Sequence, residues 1–346
     1  MIELKHDSLA FSFPDVHPSA TLNITFQRTL RIPDDDKTYP LPPGLGAFPL
    51  RHVDDFADNV PGMWLEHGGV MMPMYQAEAL WLRFSAGMDQ ERYANYPFAI
   101  KVATGKIDAV TGKDWSPGIH RDPQDYMVAP EQPWLDGYCV ERGTIRQFVA
   151  MPLGEGYTAE EQITGKAEHG GLQIIVYPMK RDVFERRFPK LPRSEMRYAS
   201  KALAGEPYFC CSMPEAEMGL APGGRMKQEI YDDPFNLDDW DLTKSSRCFI
   251  HLANSLVWQA ITGKAPPYPP PTAAEYTRVG FPWFDYYDEK QTAVDGSSIL
   301  ARLLSVFGMG KEKRRNPLPE NESCEPVNVK RLRPQRVGDA VREGTF

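Results

Sequence analysis

The stretch Ala20-Thr21-Leu22-Asn23-Ile24-Thr25-Phe26-Gln27-Arg28-Thr29-Leu30-Arg31-Ile32 decides the fold class. Leu22, Ile24 and Phe26 alternate with Thr21, Asn23, Thr25 and Gln27. A period of two puts apolar groups on one face of an extended chain, which is the mark of a half-buried strand. The same reading extends along the sequence. Phe98, Ile100 and Val102, then Thr104-Gly105-Lys106, then Ile107 and Ala109 predict a hairpin around a glycine turn. Thr144–Leu153, Leu172–Tyr177 and Arg247–Leu252 predict strands buried on at least one face, and Met74–Ser85 reads as a long strand. Proline makes up 32 of 346 residues, about 9% against a usual 5% or so. It breaks helix interiors and central strands, so a helical bundle or coiled coil is excluded and short elements joined by ordered turns are expected.

Helices are few. Thr158 with Glu161 forms a capping-box start closed by Gly165, and the segment from Asn254 to Thr262, closed by Gly263, repeats the pattern. Thr272 with Glu275 opens a third helix, and Ser297–Phe307 carries Leu300, Leu303, Leu304 and Phe307 at helical spacing, ending at Gly308. The expected fold is mainly β, a β-sandwich or barrel-like core with a few short peripheral α-helices. The expected organisation is a β-rich domain over 1–180, a charged insertion or excursion over 181–245, a strand plus helices completing the core over 246–310, and a basic disordered tail over 311–346.

Charge bears on partners and compartment. The net charge is −8, and the basic clusters Lys311-Glu312-Lys313-Arg314-Arg315 and Lys330-Arg331-Leu332-Arg333 fall in the tail. An acidic body disfavours nucleic acid there and leaves the tail as the place for any such contact. Lys180–Lys201 is mostly basic and Glu206–Asp241 mostly acidic, so the two either pair or stand as exposed insertions. Met1–Asp7 carries charges where a secretory leader needs an apolar run. The densest apolar run, Leu172–Tyr177, falls far short of the ~20 residues that cross a bilayer. A soluble, cytoplasmic protein without membrane contact is expected. Cysteines 139, 210, 211, 248 and 324 show no C-x-x-C spacing, which favours reduced thiols.

Catalytic motifs are sparse. The seven histidines show no H-x-H or H-E-x-x-H spacing, so no metal and no cofactor is expected. Glu-His-Gly-Gly occurs at 66–69 and again at 168–171, and Ile-Thr-Gly-Lys-Ala at 163–167 and 261–265. These echoes fit either a duplicated unit or the reuse of turn and cap chemistry. His67 and His169 resemble a glycine-rich oxyanion segment, but no G-x-S-x-G accompanies them, which favours turns entering strands. Ala221-Pro222-Gly223-Gly224-Arg225 reads as a glycine turn, and Pro266-Pro267-Tyr268-Pro269-Pro270-Pro271 as a rigid connector. Carboxylates near aromatics, including Asp238, Asp239 and Asp241, are the residue types of glycoside hydrolysis, although solvated turns explain them as well. In the run Trp283-Phe284-Asp285-Tyr286-Tyr287 a strand would turn half of its aromatics outward, a candidate ligand or partner surface.

Three segments resemble an uncharacterised family of soluble microbial proteins: Tyr39-Pro40-Leu41-Pro42-Pro43-Gly44-Leu45-Gly46, Arg146-Gln147-Phe148-Val149-Ala150-Met151-Pro152-Leu153-Gly154 and Pro282-Trp283-Phe284-Asp285. The likeness spans most of residues 1–290. It implies no activity and carries over no functional residue. The integral-membrane label borne by some members is at odds with the missing apolar span. The leading expectation is therefore a non-catalytic binding or assembly protein, with a protein partner or self-association. The alternative is a carboxylate-dependent hydrolase acting on a glycan or other polar substrate.

Overall fold

The structure is a computed structural model that describes residues 1–190, 217–286, 288 and 291–332. The principal strands are β1 (Ile2–Lys5), β2 (Ser8–Ser12), β3 (Thr21–Thr29), β4 (Val70–Met74), β5 (Ala79–Ala86), β6 (Phe98–Thr104), β7 (Gly137–Glu141), β8 (Thr144–Pro152), β9 (Leu172–Pro178), β10 (Glu217–Lys227) and β11 (Ser246–Asn254). Among the described residues, these and shorter strands form one 17-stranded sheet. Its hydrogen-bonded path runs β1–β2–β3–β5–β8–β10–β11–β9–β6, all antiparallel. β7 is hairpinned on β8, and β4 runs parallel to β11.

Register follows the hydrophobic alternation, because a one-residue slip would turn every apolar side chain to the wrong face. Leu22 stands opposite Phe11 and Ile24 opposite Leu9, all four buried. Phe11, Ile24, Leu82, Ile100, Ile174 and Ile250 share one core cluster, so the two halves of the sheet enclose a common interior. Burying each such side chain contributes about 1.5–3 kcal/mol. The fold is thus mainly β with short helices at its periphery, as the alternation predicts.

The helices are α1 (Gly62–His67), α2 (Ala159–Thr164), α3 (Arg181–Arg187), α4 (Ser255–Thr262), α5 (Ala273–Arg278), α6 (Ser298–Ala301) and α7 (Val306–Glu312). The predicted caps are present: Thr158–Glu161 and Thr272–Glu275 form complete capping boxes, and Asn254 accepts the Leu256 N–H. A parallel pair, β12 (Trp283–Tyr286) and β13 (Val329–Leu332), packs outside the main sheet. No helix among the described residues is long and apolar enough to cross a membrane.

Five expectations are corrected. The single strand over Met74–Ser85 is two strands, because Tyr75–Glu78 turns with Ala77 at φ 65 and the Glu78 carboxylate accepting the Tyr75 N–H. Gly223-Gly224 is no turn but the middle of β10, where side chains would not fit: a Cβ on Gly223 would sit 2.6 Å from Val149 Cγ2. Part of the expected excursion over 181–245 belongs to the core, since β10 buries Met218 and Leu220 and α3 buries Phe184. The helix expected over Ser297–Phe307 breaks into α6 and α7 where Ser305 caps the Gly308 N–H, and α7 continues through Gly308. Residues 311–332, expected within a disordered tail, pack on the body. Asn321 accepts the Asp34 N–H at 2.9 Å, and Cys324 is buried.

Candidate functional site

A cavity of about 660 Å³ lies where β3 ends. Its size falls in the ~300–1,000 Å³ range of small-molecule sites. Gln147 on β8 clamps the chain beyond β3: Ile32 donates its N–H to Gln147 Oε1 at 2.8 Å, and Gln147 Nε2 donates to the Leu30 carbonyl at 2.8 Å. Leu30 and Ile32 sink into a second core cluster with Trp283 and Tyr276. Arg31, between them, lines the cavity.

Four segments complete the walls. The Tyr75–Glu78 turn forms one side, and Ala77 holds a left-handed backbone there that alanine adopts only under strain. The first turn of α4 contributes Ser255 and Leu256. The proline run forms the third wall, fastened by Arg28, whose Nη2 donates both to Glu78 Oε1 (2.6 Å) and to the Tyr268 carbonyl (2.7 Å). Glu320 supplies the fourth, held by the bonds between Asn321 and the Asp34 backbone.

The electrostatics divide these groups into two sets. Glu78 is satisfied: Arg28 and the Tyr75 N–H occupy its oxygens, although burial pushes its carboxyl above the ordinary value against their pull. Arg31 is not. It is 3% exposed, and its Nε and Nη1 have no hydrogen-bond partner. Burial lowers its pKa against the through-space pull of Glu320 and Asp34, yet a guanidinium stays charged in proteins. Glu320 Oε2 and Ser255 Oγ are likewise buried without a partner. Four of the ten such side-chain atoms among the described residues therefore belong to residues that line one cavity. An unpaired buried charge is costly, so natural structures pair it with a counter-ion or ligand. A neighbouring cavity of about 60 Å³ shares Arg31 and Gln76 and adds Lys311 and Arg315.

No family model, curated protein or solved structure matches the chain.

The residues singled out in the sequence lie elsewhere. Trp283 is fully buried and donates its indole N–H to Thr277 Oγ1, so it serves the core. Phe284, Asp285 and Tyr286 are half-buried. Phe284 joins Trp81 and Trp134 around a cleft of about 190 Å³, Tyr286 packs edge-on to Trp134 at 4.6 Å, and Asp285 stands opposite Arg331. Tyr287 lies outside the described residues. Asp239 closes a capping box with Asn236 and binds Arg187 at 2.7 Å. Asp241 accepts from Thr243, and Asp238 is exposed, with its carbonyl taking Lys180 Nζ. These carboxylates build turns, and Arg187 and Lys180 realise the pairing of the basic and acidic stretches.

His67 and His169 do meet: their rings lie 6.3 Å apart, with His251 stacked on His67 at 6.2 Å and Glu217 Oε1 3.9 Å from His251 Nδ1. Burial holds His67 and His169 below the ordinary imidazole value, helped by His251 at the first and Lys106 at the second. No group of three His, Cys, Asp or Glu among the described residues is placed to hold a metal ion. The three described cysteines are buried, and burial pushes Cys139 and Cys248 up to about 12, far from nucleophilic thiolates. Cys210 and Cys211 lie outside the described residues. Sequence reasoning missed Arg31, Ser255 and Glu320. The available signal was an arginine flanked by two apolar residues, Leu30 and Ile32, in an extended segment.

Proposed function

We propose that this protein is a binding protein for a small molecule carrying a carboxylate or phosphate, seated in the 660 Å³ cavity with its anionic group on Arg31. The observation that carries this reading is the buried guanidinium of a residue that lines the cavity, two of whose N–H groups have no partner in the protein. An anion accepting both bonds would replace the missing partner with the stronger, charge-assisted kind of hydrogen bond. Calorimetric titration of the full chain with a panel of small carboxylates and phosphates tests it. At least one member binds the wild type, and Arg31→Met weakens that binding at least tenfold. Equal affinity in the two proteins would remove Arg31 from the site.

The hydrolase alternative has one supporting observation, the presence of Glu78 and Glu320 in the same cavity. Such a reaction needs one carboxyl free to donate a proton and a second free to act as base or nucleophile. Glu78 is held at both oxygens by Arg28 and Tyr75, which favours binding over hydrolysis. Turnover of a bound ligand, lost in Glu320→Gln, would reverse that preference.

A further inference from the structure

Three residues that line the cavity carry a buried polar group without a partner, and these groups differ in what they lack. Arg31 Nε and Nη1 are donors without acceptors, Glu320 Oε2 is an acceptor without a donor, and Ser255 Oγ can serve as either. Arg31 and Glu320 attract each other through space, yet no hydrogen bond joins those atoms. A simple anion on Arg31 would bring a second negative charge towards Glu320, and like charges repel. A simple cation on Glu320 would leave Arg31 unpaired. A ligand carrying both signs satisfies both groups at once.

Much of the remaining wall is apolar. Leu256, Ala77, Pro266, Pro269, Pro270 and Tyr268 line the same space. Prolines lose little conformational freedom on binding, so they form a pre-organised surface for an aliphatic or aromatic group. Bonds from Arg28 to Glu78 and to the Tyr268 carbonyl hold that surface against the sheet.

Resting on the binding role above, we infer that the ligand is a zwitterionic α-amino carboxylate with an apolar side chain, a free amino acid or short peptide. Its carboxylate lies on Arg31, its ammonium on Glu320 and its side chain on the proline wall. Glu320 thereby becomes the specificity-determining residue, and Arg31 the anchor.

The test is calorimetric titration of the full chain with leucine, the dipeptide Leu-Leu, N-acetyl-leucine and leucinamide, alongside acetate and inorganic phosphate. At least one of the two zwitterions binds, and N-acetyl-leucine and leucinamide bind at least tenfold more weakly than the tighter of them. In Glu320→Gln, whose thermal unfolding is checked against the wild type, the preference for the free ammonium falls to threefold or less. In Arg31→Met the preference for the free carboxylate is lost. If N-acetyl-leucine, acetate or phosphate binds as tightly as the zwitterions, with affinity still dependent on Arg31, the zwitterion inference is overturned while the anion-binding role stands. If none of the six probes shows Arg31-dependent binding, both the inference and the role it rests on are overturned for these chemistries.

Discussion

Arg31 is one of several buried charges in this protein, and others show what a satisfied one looks like. Lys101, with 1% of its side chain exposed, donates to Asp125 at 2.7 Å and to the carbonyls of Ser116 and Gly118. Asp125 also receives the His120 ring nitrogen at 2.8 Å. Removing one partner from such a pair leaves the other uncompensated, so Asp125→Ala is expected to cost about 3–5 kcal/mol in urea unfolding. A loss under 1 kcal/mol would mean that Lys101 reaches water. Asp136 behaves differently. Burial pushes its carboxyl up to about 7, against hydrogen bonds from Trp134 and Gln228. An acid raised in the folded state holds its proton longer there than in the unfolded chain, so its contribution is complete below the unfolded value near 4. That contribution is then lost as pH rises through about 7. Between pH 6 and 8 the wild type should lose about 1 kcal/mol through this group, and Asp136→Asn should lose less over the same interval. Parallel pH profiles of the two proteins would contradict this.

At the scale of elements, the two sequence echoes have separate physical causes. Val70 on β4 and Leu172 on β9 both pair with Ile250, from opposite sides of β11. The preceding glycines, Gly69 and Gly171, sit at φ +87 and +70, and a Cβ on either would overlap a carbonyl oxygen of β11, Phe249 in one case and Ile250 in the other. The Glu-His-Gly-Gly turns therefore solve one packing problem twice. The Ile-Thr-Gly segments end α2 and α4 identically: Thr164 and Thr262 donate to carbonyls four residues back, and Gly165 and Gly263 are left-handed caps. Gly69→Ala meets both strain and overlap, whereas Gly165→Ala meets only the left-handed backbone, with no atom within 4 Å. The second should cost about 1–2 kcal/mol, and the first should cost more; the reverse order in chemical denaturation would sink the explanation. Strands and caps were legible because alternation and capping are local signals. Gly223-Gly224 was misread because a close approach between β10 and Val149 has no local signature. Arg31 was missed because the segments that bury it, 254–271 and 317–320, lie more than 220 residues away in sequence.

The whole molecule joins these pieces through one sheet, and its pH response sums over many groups. Asp108, Glu131 and Glu160, like Asp136, are pushed to about 7 by burial. Each contributes stability below its unfolded value near 4 that is lost as pH rises through about 7. His17, His67 and His169 are lowered by burial below 6.5, so their contributions are present above 6.5 and fade as pH falls through their folded values. The two sets oppose each other, but the four carboxyls lose stability over the whole interval from about 4 to 7 and outnumber the three histidines, so thermal stability should fall as pH rises from 5 to 8. A stability that rises from pH 5 to 8 would contradict the burial of these carboxyls. The C-terminal segment through Leu332 belongs to this whole, because Glu320 and the Asn321 contacts close the cavity that β3 opens. The account turns on Arg31 being a charge that the fold itself leaves unpaired. Thermal unfolding of ligand-free wild type and Arg31→Met tests this most directly. Removing a buried charge that has no hydrogen-bonded partner should leave the melting temperature unchanged or raise it, whereas a fall of several degrees would show that Arg31 is already paired within the protein and is not waiting for a ligand.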